Sequence, residues 1–206
     1  MKINAKRQAH LSELLAYDTK YRNMGALFAG VDEAGRGPLA GSVYAACVVM
    51  PENPVILWMD DSKKLSQKRR EQVFEEIMEI ALFVGVGRAS VQEIDRYNIL
   101  EATRLAMRRA AEGCPATRFL IDAVKDVGLA GEEISVIKGD ATSYSVAAAS
   151  VIAKVSRDRE MLTLHALYPQ YAFASNKGYG TAAHIAALKE YGPTPQHRQS
   201  FIGNFV

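Results

Sequence analysis

The chain has 206 residues, 49% of them hydrophobic, which fits one domain of moderate size with a substantial core. Its 25 Lys and Arg residues nearly balance 23 Asp and Glu residues, so the net charge of +2 does not by itself indicate a nucleic-acid-binding protein. Cys47 and Cys114 lack metal-binding spacing and favour a reduced protein over a disulfide scaffold. Without a transmembrane-length apolar run or the apolar core of a secretory signal, we expect a cytoplasmic protein with no membrane association.

The first part of the chain has the pattern of a helix followed by two buried strands. Leu11, Leu14 and Leu15 lie on one side of a predicted amphipathic helix near the N-terminus. Residues 27–32 and 42–50 are nearly continuous apolar runs, as expected for strands that are covered on both faces. A Gly-rich turn connects the two predicted strands.

Helices and strands alternate through the rest of the chain. Helical spacing predicts a helix that begins near Ser66, and two pairs at capping-box spacing begin a short and then a longer helix: Ser90 with Glu93, and Asn98 with Glu101. The remaining predictions are strands at 82–89, 118–124 and 133–138 and helices at 143–167 and from Thr181 to Gly192. This order indicates an α/β fold with a central mixed β-sheet flanked by helices. We expect a central domain over 27–180, an N-terminal helical extension over 1–26 and a helical C-terminal segment over 181–206 packed on the domain.

Acidic residues stand at or near the ends of three apolar stretches. Asp32 and Glu33 close the first predicted strand, Asp122 lies within RFLIDAV, and Asp140 ends VIKGD. Neighbouring strands can bring such ends together, and clustered carboxylates stay ionised only when cations hold them. Because Mg²⁺ and Mn²⁺ prefer oxygen ligands, either ion is the natural occupant.

Each acid also has a purely structural interpretation. A single Asp at a strand end is commonly a turn or cap residue, and Asp140 could cap the helix that is predicted near Ser143. Asp122 is harder to explain in this way, because no cationic residue adjoins it. Adjacent residues of a regular strand point to opposite faces, so Asp32 and Glu33 can share a site only if the strand ends or bulges between them.

The turn after the acid pair, Gly35-Arg36-Gly37, cannot be ordinary strand. Its glycines permit unusual backbone angles and close approach of a ligand to the main chain. The backbone N–H groups of such a turn can donate to phosphate or sugar oxygens, and Arg36 adds a planar pair of donors. Alone, a Gly-x-Gly turn is commonly just a tight connection; beside a metal-binding acid pair, it predicts a substrate clamp.

The string GVDEAGRGPLAG resembles the signature of type 2 ribonuclease H, the ribonuclease HII family. Matching segments follow in the family's order over nearly everything from about residue 27 to residue 201: DSKKLS, EIDRYNIL, LIDA, VIKGD, AAASVIAKVSRDREM, NKGYGTAAH and HRQSF. A series of this kind is far more specific than any one segment. The resemblance implies a ribonuclease H-like fold, with a central mixed sheet and flanking helices.

The resemblance also implies an active site of four acids: Asp32, Glu33, Asp122 and Asp140. Asp158 is an alternative fourth acid, although we expect it to pair with Arg157 or Arg159 instead. Such a site would hold two divalent ions, Mg²⁺ or Mn²⁺, about 3.5–4 Å apart. One ion would activate the attacking water and the other would stabilise the leaving 3′ oxygen.

The implied reaction is hydrolysis on the 5′ side of a ribonucleotide, which leaves 3′-hydroxyl and 5′-phosphate ends. The implied substrates are RNA in RNA–DNA hybrids and single ribonucleotides within duplex DNA, cut by a monomer. Gly35, Arg36 and Gly37 would identify the 2′-hydroxyl that separates RNA from DNA. A different two-metal nuclease of the same fold and a non-catalytic duplex-binding protein remain the alternatives.

Other polar residues have weaker assignments. Lys63 and Lys64 belong to a basic cluster that could be a solvated helix start, but the resemblance favours contact with the phosphate backbone. Tyr179 would pack against the sugar that follows the ribonucleotide, whereas an isolated Tyr is more commonly a packing residue. For His184 and His197 we expect structural roles, because an acid-rich site suits Mg²⁺ better than imidazole ligands do.

Overall fold

The computed structural model describes residues 4–205, and its centre is a five-stranded sheet in the order β3-β2-β1-β4-β5. The strands are β1 (Phe28–Ala34), β2 (Val43–Val49), β3 (Phe83–Ala89), β4 (Arg118–Asp122) and β5 (Glu132–Val136). β1 runs antiparallel to β2 and parallel to β4; β2 is antiparallel to β3, and β4 is parallel to β5. The predicted mixed sheet is therefore confirmed.

Seven helices accompany the sheet among the described residues: α1 (Ala5–Arg22), α2 (Gln67–Ile80), α3 (Val91–Ala111), α4 (Tyr144–Leu167), α5 (Phe173–Asn176), α6 (Ala182–Tyr191) and α7 (Gln199–Ile202). Two core layers form because successive strand side chains point to opposite faces. On β2, Ala46 and Val48 face the layer with α1, α2 and α4, whereas Ala45 and Cys47 face the layer with α3. The fold class predicted from the sequence is thus confirmed, including the helical C-terminal segment.

The two predicted helix starts between residues 90 and 101 are both present within α3. Ser90 and Glu93 form a complete capping box. Asn98 breaks the helix with φ 68°, and its side chain accepts the amide of Glu101 at 3.2 Å. The Glu101 carboxylate does not complete a second box, because it pairs with Arg104 at 2.6 Å instead. A short and a longer helix therefore meet at a kink, as the capping residues indicate.

Helix α1 packs on the core layer that contains α4 through the predicted leucine side. Leu11 and Leu14 are buried in the core layer beside α4, and Leu15 packs against it. Asp18 lies one turn after Leu14 and is also buried. Its carboxylate accepts hydrogen bonds from three donors at the start of α4: the Ser143 hydroxyl at 2.6 Å, the Ser145 hydroxyl at 2.7 Å and the Ser145 amide at 2.9 Å.

Helix α4 approaches the central strand backbone to backbone. A Cβ at Gly30 would collide with the main chain of Ser145 and Val146. Only a glycine in β1 allows this contact, which places α4 directly across the strand that carries Asp32 two residues later. The start of α4 is thereby fixed against both β1 and α1.

Both thiols are free, and the Cys47 and Cys114 sulfurs lie 3.7 Å apart. Within residues 4–205, none of the helices combines the length and the apolar character that a membrane crossing requires.

Asp18→Ala is expected to lower the free energy of unfolding by about 1–3 kcal/mol, because buried donors at the start of α4 lose their acceptor. Burial raises the pKa of Asp18, so the hydrogen bonds must offset a desolvation cost. Thermal and urea denaturation would measure the change. Glu13→Ala is the matched control, since the Glu13 side chain is 80% exposed on the same helix and should change stability by less than about 0.5 kcal/mol. Equal stability of the two variants would contradict the assigned role of Asp18.

Candidate active site

Three acids meet at one edge of the sheet. Asp32 lies in β1, Asp122 ends β4, and Asp140 lies in a short 3-10 turn that follows β5. Each contributes a carboxylate oxygen to a group in which these atoms lie within 4.8 Å of one another. The cause is topological, since β1, β4 and β5 are parallel and their carboxyl ends share one edge. The clustering that was predicted for these three acids is therefore present.

The electrostatics of this cluster are unfavourable for bare carboxylates. Burial raises the pKa of Asp32 well above its usual value, and the nearby Glu33 and Asp122 raise it further. Burial also raises the pKa of Asp122, although the Gly139 amide partly opposes this by donating to Asp122 at 2.6 Å. Because the donors are all hard oxygen atoms, the cluster fits a divalent cation such as Mg²⁺ or Mn²⁺.

Glu33 lies beside the cluster and not within it. β1 continues to Ala34 with regular pairing, so neither a strand end nor a bulge separates Asp32 from Glu33. Their side chains consequently leave opposite faces of the strand. Glu33 has one buried carboxylate oxygen without a hydrogen-bond partner, and its other oxygen lies 3.5 Å from an Arg36 nitrogen. Burial raises the pKa of Glu33, while Arg36 opposes the rise.

Asp158 is engaged elsewhere, with partners that differ from the expected ones. Lys154 donates to it at 2.6 Å and Arg70 at 3.3 Å. The expectation of pairing with Arg157 or Arg159 is wrong. Arg157 turns beneath the neighbouring loop to donate to main-chain carbonyls, and Arg159 lies on another side of α4, where it pairs with acids of α2.

The two lysines of the DSKKLS segment point in different directions. Lys63 reaches the cluster, with its ammonium 3.2 Å from an Asp140 oxygen. Burial opposes the charge of Lys63, but Asp140 and other nearby acids raise its pKa overall. Lys64 instead lies 3.7 Å from Asp60, which also accepts a 3.0 Å contact from His10 of α1. The structure therefore brings Lys63 to the acids and leaves Lys64 on the α1 side.

A groove of about 450 Å³ begins beside the acids. Gly35 has φ 97°, and a Cβ there would collide with the Arg157 side chain, so only glycine fits. Tyr179 is 46% exposed and lies next to Gly37, where an added Cβ would be 3.6 Å from the ring. The groove is lined by Glu33, Ala34, Gly35, Arg36, Gly37, Ser62, Lys63, Ser150, Lys154, Arg157 and Tyr179.

The two C-terminal histidines contact each other in the core. Their Nε2 atoms are 3.0 Å apart, although 13 positions separate His184 from His197 in the chain. Burial lowers the pKa of His184, and burial together with His184 lowers that of His197 to about 4. Tyr171 and Phe173 pack around the pair. The geometry is that of a neutral, packed imidazole pair.

Several residues outside the set of site residues predicted from the sequence support the site. Ser150 lowers the pKa of Asp32, hydrogen-bonds the Ser62 hydroxyl at 2.9 Å and lies beside Lys154 and Arg157 along the groove face of α4. A signal for these was available, because polar residues at 150, 154 and 157 recur at helical spacing in an otherwise apolar, Ala-rich helix. Arg198 is fully buried under the glycine loop, and nothing in its local sequence indicates that position.

Comparisons with known proteins agree with this geometry. The family model described as Ribonuclease HII matches residues 29–204. A ribonuclease HII from Lachnoclostridium phytofermentans is 49% identical over 207 residues, covering 100% of this chain and 81% of the relative. One from Shewanella oneidensis is 52% identical over 183 residues, covering 85% of this chain and 88% of the relative.

Solved structures show the same fold. The ribonuclease H2 of Pyrococcus horikoshii superimposes with a TM-score of 0.71 at 27% identity, covering 84% of this chain and 92% of that one. The ribonuclease HII of Archaeoglobus fulgidus, solved in complex with PCNA, gives 0.69 at 26% identity, with coverage of 84% and 94%. A ribonuclease HIII solved with Mn²⁺ shares the fold at 18% identity and a TM-score of 0.59, with coverage of 81% and 63%. The chain accordingly belongs to the ribonuclease HII family and is an endonuclease of the ribonuclease H type.

Proposed function

We propose that this enzyme hydrolyses the phosphodiester bond 5′ to a ribonucleotide and leaves 3′-hydroxyl and 5′-phosphate ends. Its substrates are RNA–DNA hybrids and duplex DNA that contains single ribonucleotides, and it acts as a cytoplasmic monomer. The observation that carries the proposal is the juxtaposition of two buried carboxylates and one half-buried carboxylate with a groove bordered by Gly35 and Gly37. Such a site offers both a place for cations and a main-chain surface that can read a sugar.

The acids would hold two divalent ions, Mg²⁺ or Mn²⁺. Asp32, Asp122 and Asp140 would supply most ligand oxygens, and the unpartnered buried oxygen of Glu33 would add another from the groove side. Bound ions of this kind activate a water and stabilise the leaving 3′ oxygen. The Gly139 amide would orient the Asp122 carboxylate, to which it donates at 2.6 Å. Lys63, which pairs with Asp140, would contact a substrate phosphate.

The glycine loop would recognise the ribonucleotide. Gly35 and Gly37 let the main chain approach the 2′-hydroxyl, and Arg36, whose side chain is 43% exposed, can reach a phosphate. The exposed ring of Tyr179 beside Gly37 would pack on the next sugar. Lys64 would contact the backbone only outside the groove, because its ammonium points toward Asp60 and α1.

The proposal is tested on a duplex with one ribonucleotide and on the identical all-DNA duplex, each with Mg²⁺, Mn²⁺ or EDTA. We expect metal-dependent incision 5′ to the ribonucleotide, with the all-DNA duplex cut roughly 10⁴–10⁵-fold more slowly, since a site built around a hydroxyl rejects its absence. Similar rates on the two duplexes would instead indicate a general two-metal nuclease. If neither duplex is incised under any condition, the result would favour a non-catalytic protein that only binds duplexes.

In the same assay, Asp122→Asn and Asp140→Asn should each lower kcat by several orders of magnitude, because each removes a charge that holds the ions. The metal-free Asp122→Asn variant should be at least as stable as wild type, since burial disfavours the wild-type charge. Asp158→Asn should be much less damaging to cleavage, because Asp158 is paired with Lys154 and Arg70 away from the acids. A larger loss of kcat for Asp158→Asn than for Asp140→Asn would show that Asp158, and not Asp140, is the fourth acid of the site.

Gly37→Ala should lower cleavage roughly 100-fold, the cost of displacing a substrate by about 1 Å. The fold should tolerate the change, because the added methyl group would lie 3.6 Å from Tyr179, an ordinary contact. Gly203→Ala is the matched control, since nothing lies within 4 Å of an added Cβ there. The wild type, Gly37→Ala and Gly203→Ala should have equal melting temperatures. Full activity of Gly37→Ala under these conditions would show that the loop does not recognise the sugar.

Tyr179 should set a preference for the RNA-to-DNA junction, because a ring packed on the 3′ sugar leaves little room for another hydroxyl. Tyr179→Phe should keep most activity, whereas Tyr179→Ala should lose both rate and preference. The measurement is the ratio of cleavage rates on a single-ribonucleotide duplex and on a continuous hybrid. Tyr97→Ala is the control, since Tyr97 is 42% exposed against 46% for Tyr179. An unchanged ratio in Tyr179→Ala would remove Tyr179 from the site.

A further inference from the structure

A buried arginine from the C-terminal segment lies directly behind the glycine loop. Arg198 is 0% exposed, and its guanidinium donates to the carbonyls of Gly35 at 2.7 Å, Arg36 at 2.8 Å and Gly41 at 2.8 Å. Within residues 4–205, no carboxylate lies within ion-pair distance of it. Its direct partners are therefore main-chain carbonyls of the loop, while Glu160 and Asp95 act on its charge only from beyond ion-pair distance.

These contacts fix the direction of the peptide planes. In a trans peptide, the carbonyl of one residue and the N–H of the next point in opposite directions. With the carbonyls of Gly35 and Arg36 turned inward to Arg198, the amides of Arg36 and Gly37 must point outward. Both residues are exposed on the groove side, and neither amide donates a hydrogen bond within the described part of the chain. Two adjacent donors are thus presented to whatever occupies the groove.

A second buried guanidinium fixes the surroundings of the loop. Arg157 donates to the carbonyls of Ala40 at 3.2 Å and Lys177 at 3.0 Å, which connects the loop to the segment that carries Tyr179. Burial lowers the pKa of Arg198 to about 9, with repulsion from Arg157 as a further cause. Retaining two neighbouring cations in the interior is costly for folding. Together the two guanidiniums bind carbonyls in and around the loop, and the Arg36 and Gly37 amides have no hydrogen-bond partner within the described residues.

We propose that Arg198 is a positioning residue for ribonucleotide recognition, which holds the Gly35 and Arg36 carbonyls so that the Arg36 and Gly37 amides donate to the 2′-oxygen of the substrate. The inference rests on the proposed function, because it assumes that the groove receives a ribose. A 2′-deoxy sugar has no acceptor at this place, so the aligned amides would stay unpaired. Arg198 itself contacts no substrate atom.

The test compares Arg198→Met with wild type in two measurements. The first is kcat/KM on the single-ribonucleotide duplex. The second is the inhibition constant of the identical all-DNA duplex, which measures duplex binding without any contact to a 2′-hydroxyl. We expect kcat/KM to fall roughly 10- to 100-fold, about tenfold for each amide hydrogen bond that is lost. The inhibition constant should change less than about twofold. Arg108→Met is the control, because Arg108 of α3 also donates to a main-chain carbonyl, that of Val127 at 2.7 Å. This variant should leave both values unchanged.

Either of two results would overturn the proposal: kcat/KM within twofold of wild type, or an inhibition constant that rises by the same factor as kcat/KM falls. Arg198→Lys restores the charge with fewer donors, so its kcat/KM should lie between those of Arg198→Met and wild type. Wild-type cleavage is measured first; if the wild type does not cut the ribonucleotide, the proposed function fails and not merely the role of Arg198.

A measurement on the wild type serves if the Arg198 variants do not fold. In EDTA, where hydrolysis stops, the amide NMR signals of Arg36 and Gly37 should shift more on adding the ribonucleotide duplex than on adding the all-DNA duplex. The amide of Gly203 provides an internal reference that should respond equally to the two duplexes. Identical shifts of Arg36 and Gly37 with the two duplexes would overturn the proposal.

Discussion

Repulsion between carboxylates at one edge of the sheet is the constraint on which the rest of this structure depends. Asp32, Asp122 and Asp140 are brought within a few ångströms by three parallel strands, and burial raises the pKa of the first two. A chain selected only for stability would not gather them. The Gly139 amide and the Lys63 ammonium offset part of the electrostatic cost, and bound cations would offset the remainder.

Helix α4 is the element that turns this edge into a site. Its start is fixed by the close packing on Gly30 and by the Asp18 carboxylate of α1, so its groove face has little freedom to shift. Lys154 and Arg157 lie along that face and line the groove. The N-terminal helix, expected from the sequence as an extension, therefore contributes to the position of α4; where one domain ends and another begins stays a prediction.

The groove has two chemically different ends. One end is acidic and suits cations, whereas the other is a main-chain surface supported from behind by the guanidiniums of Arg157 and Arg198. Rigid amides recognise a hydroxyl better than flexible side chains do, because little conformational freedom is lost on binding. The guanidiniums of Arg157 and Arg198 bind main-chain carbonyls from behind the loop. The amides on the groove side of the loop therefore stay free to donate to a ligand.

Local patterns determined much of this protein. Some features depend on only a few neighbouring residues, so the sequence by itself predicts them. These are the positions of the apolar strands along the chain, the helix caps at Ser90 and Asn98, and the acids at strand ends. Side-chain direction and long-range partners were decided only by tertiary structure. The Glu33 side chain leaves β1 on the face opposite that of Asp32 because β1 continues without a bulge, and Asp158 pairs with Arg70 because α2 packs on α4. The contact of Arg198 with Gly35 joins positions 163 residues apart, and no local pattern encodes a bond that exists only once the whole chain has folded.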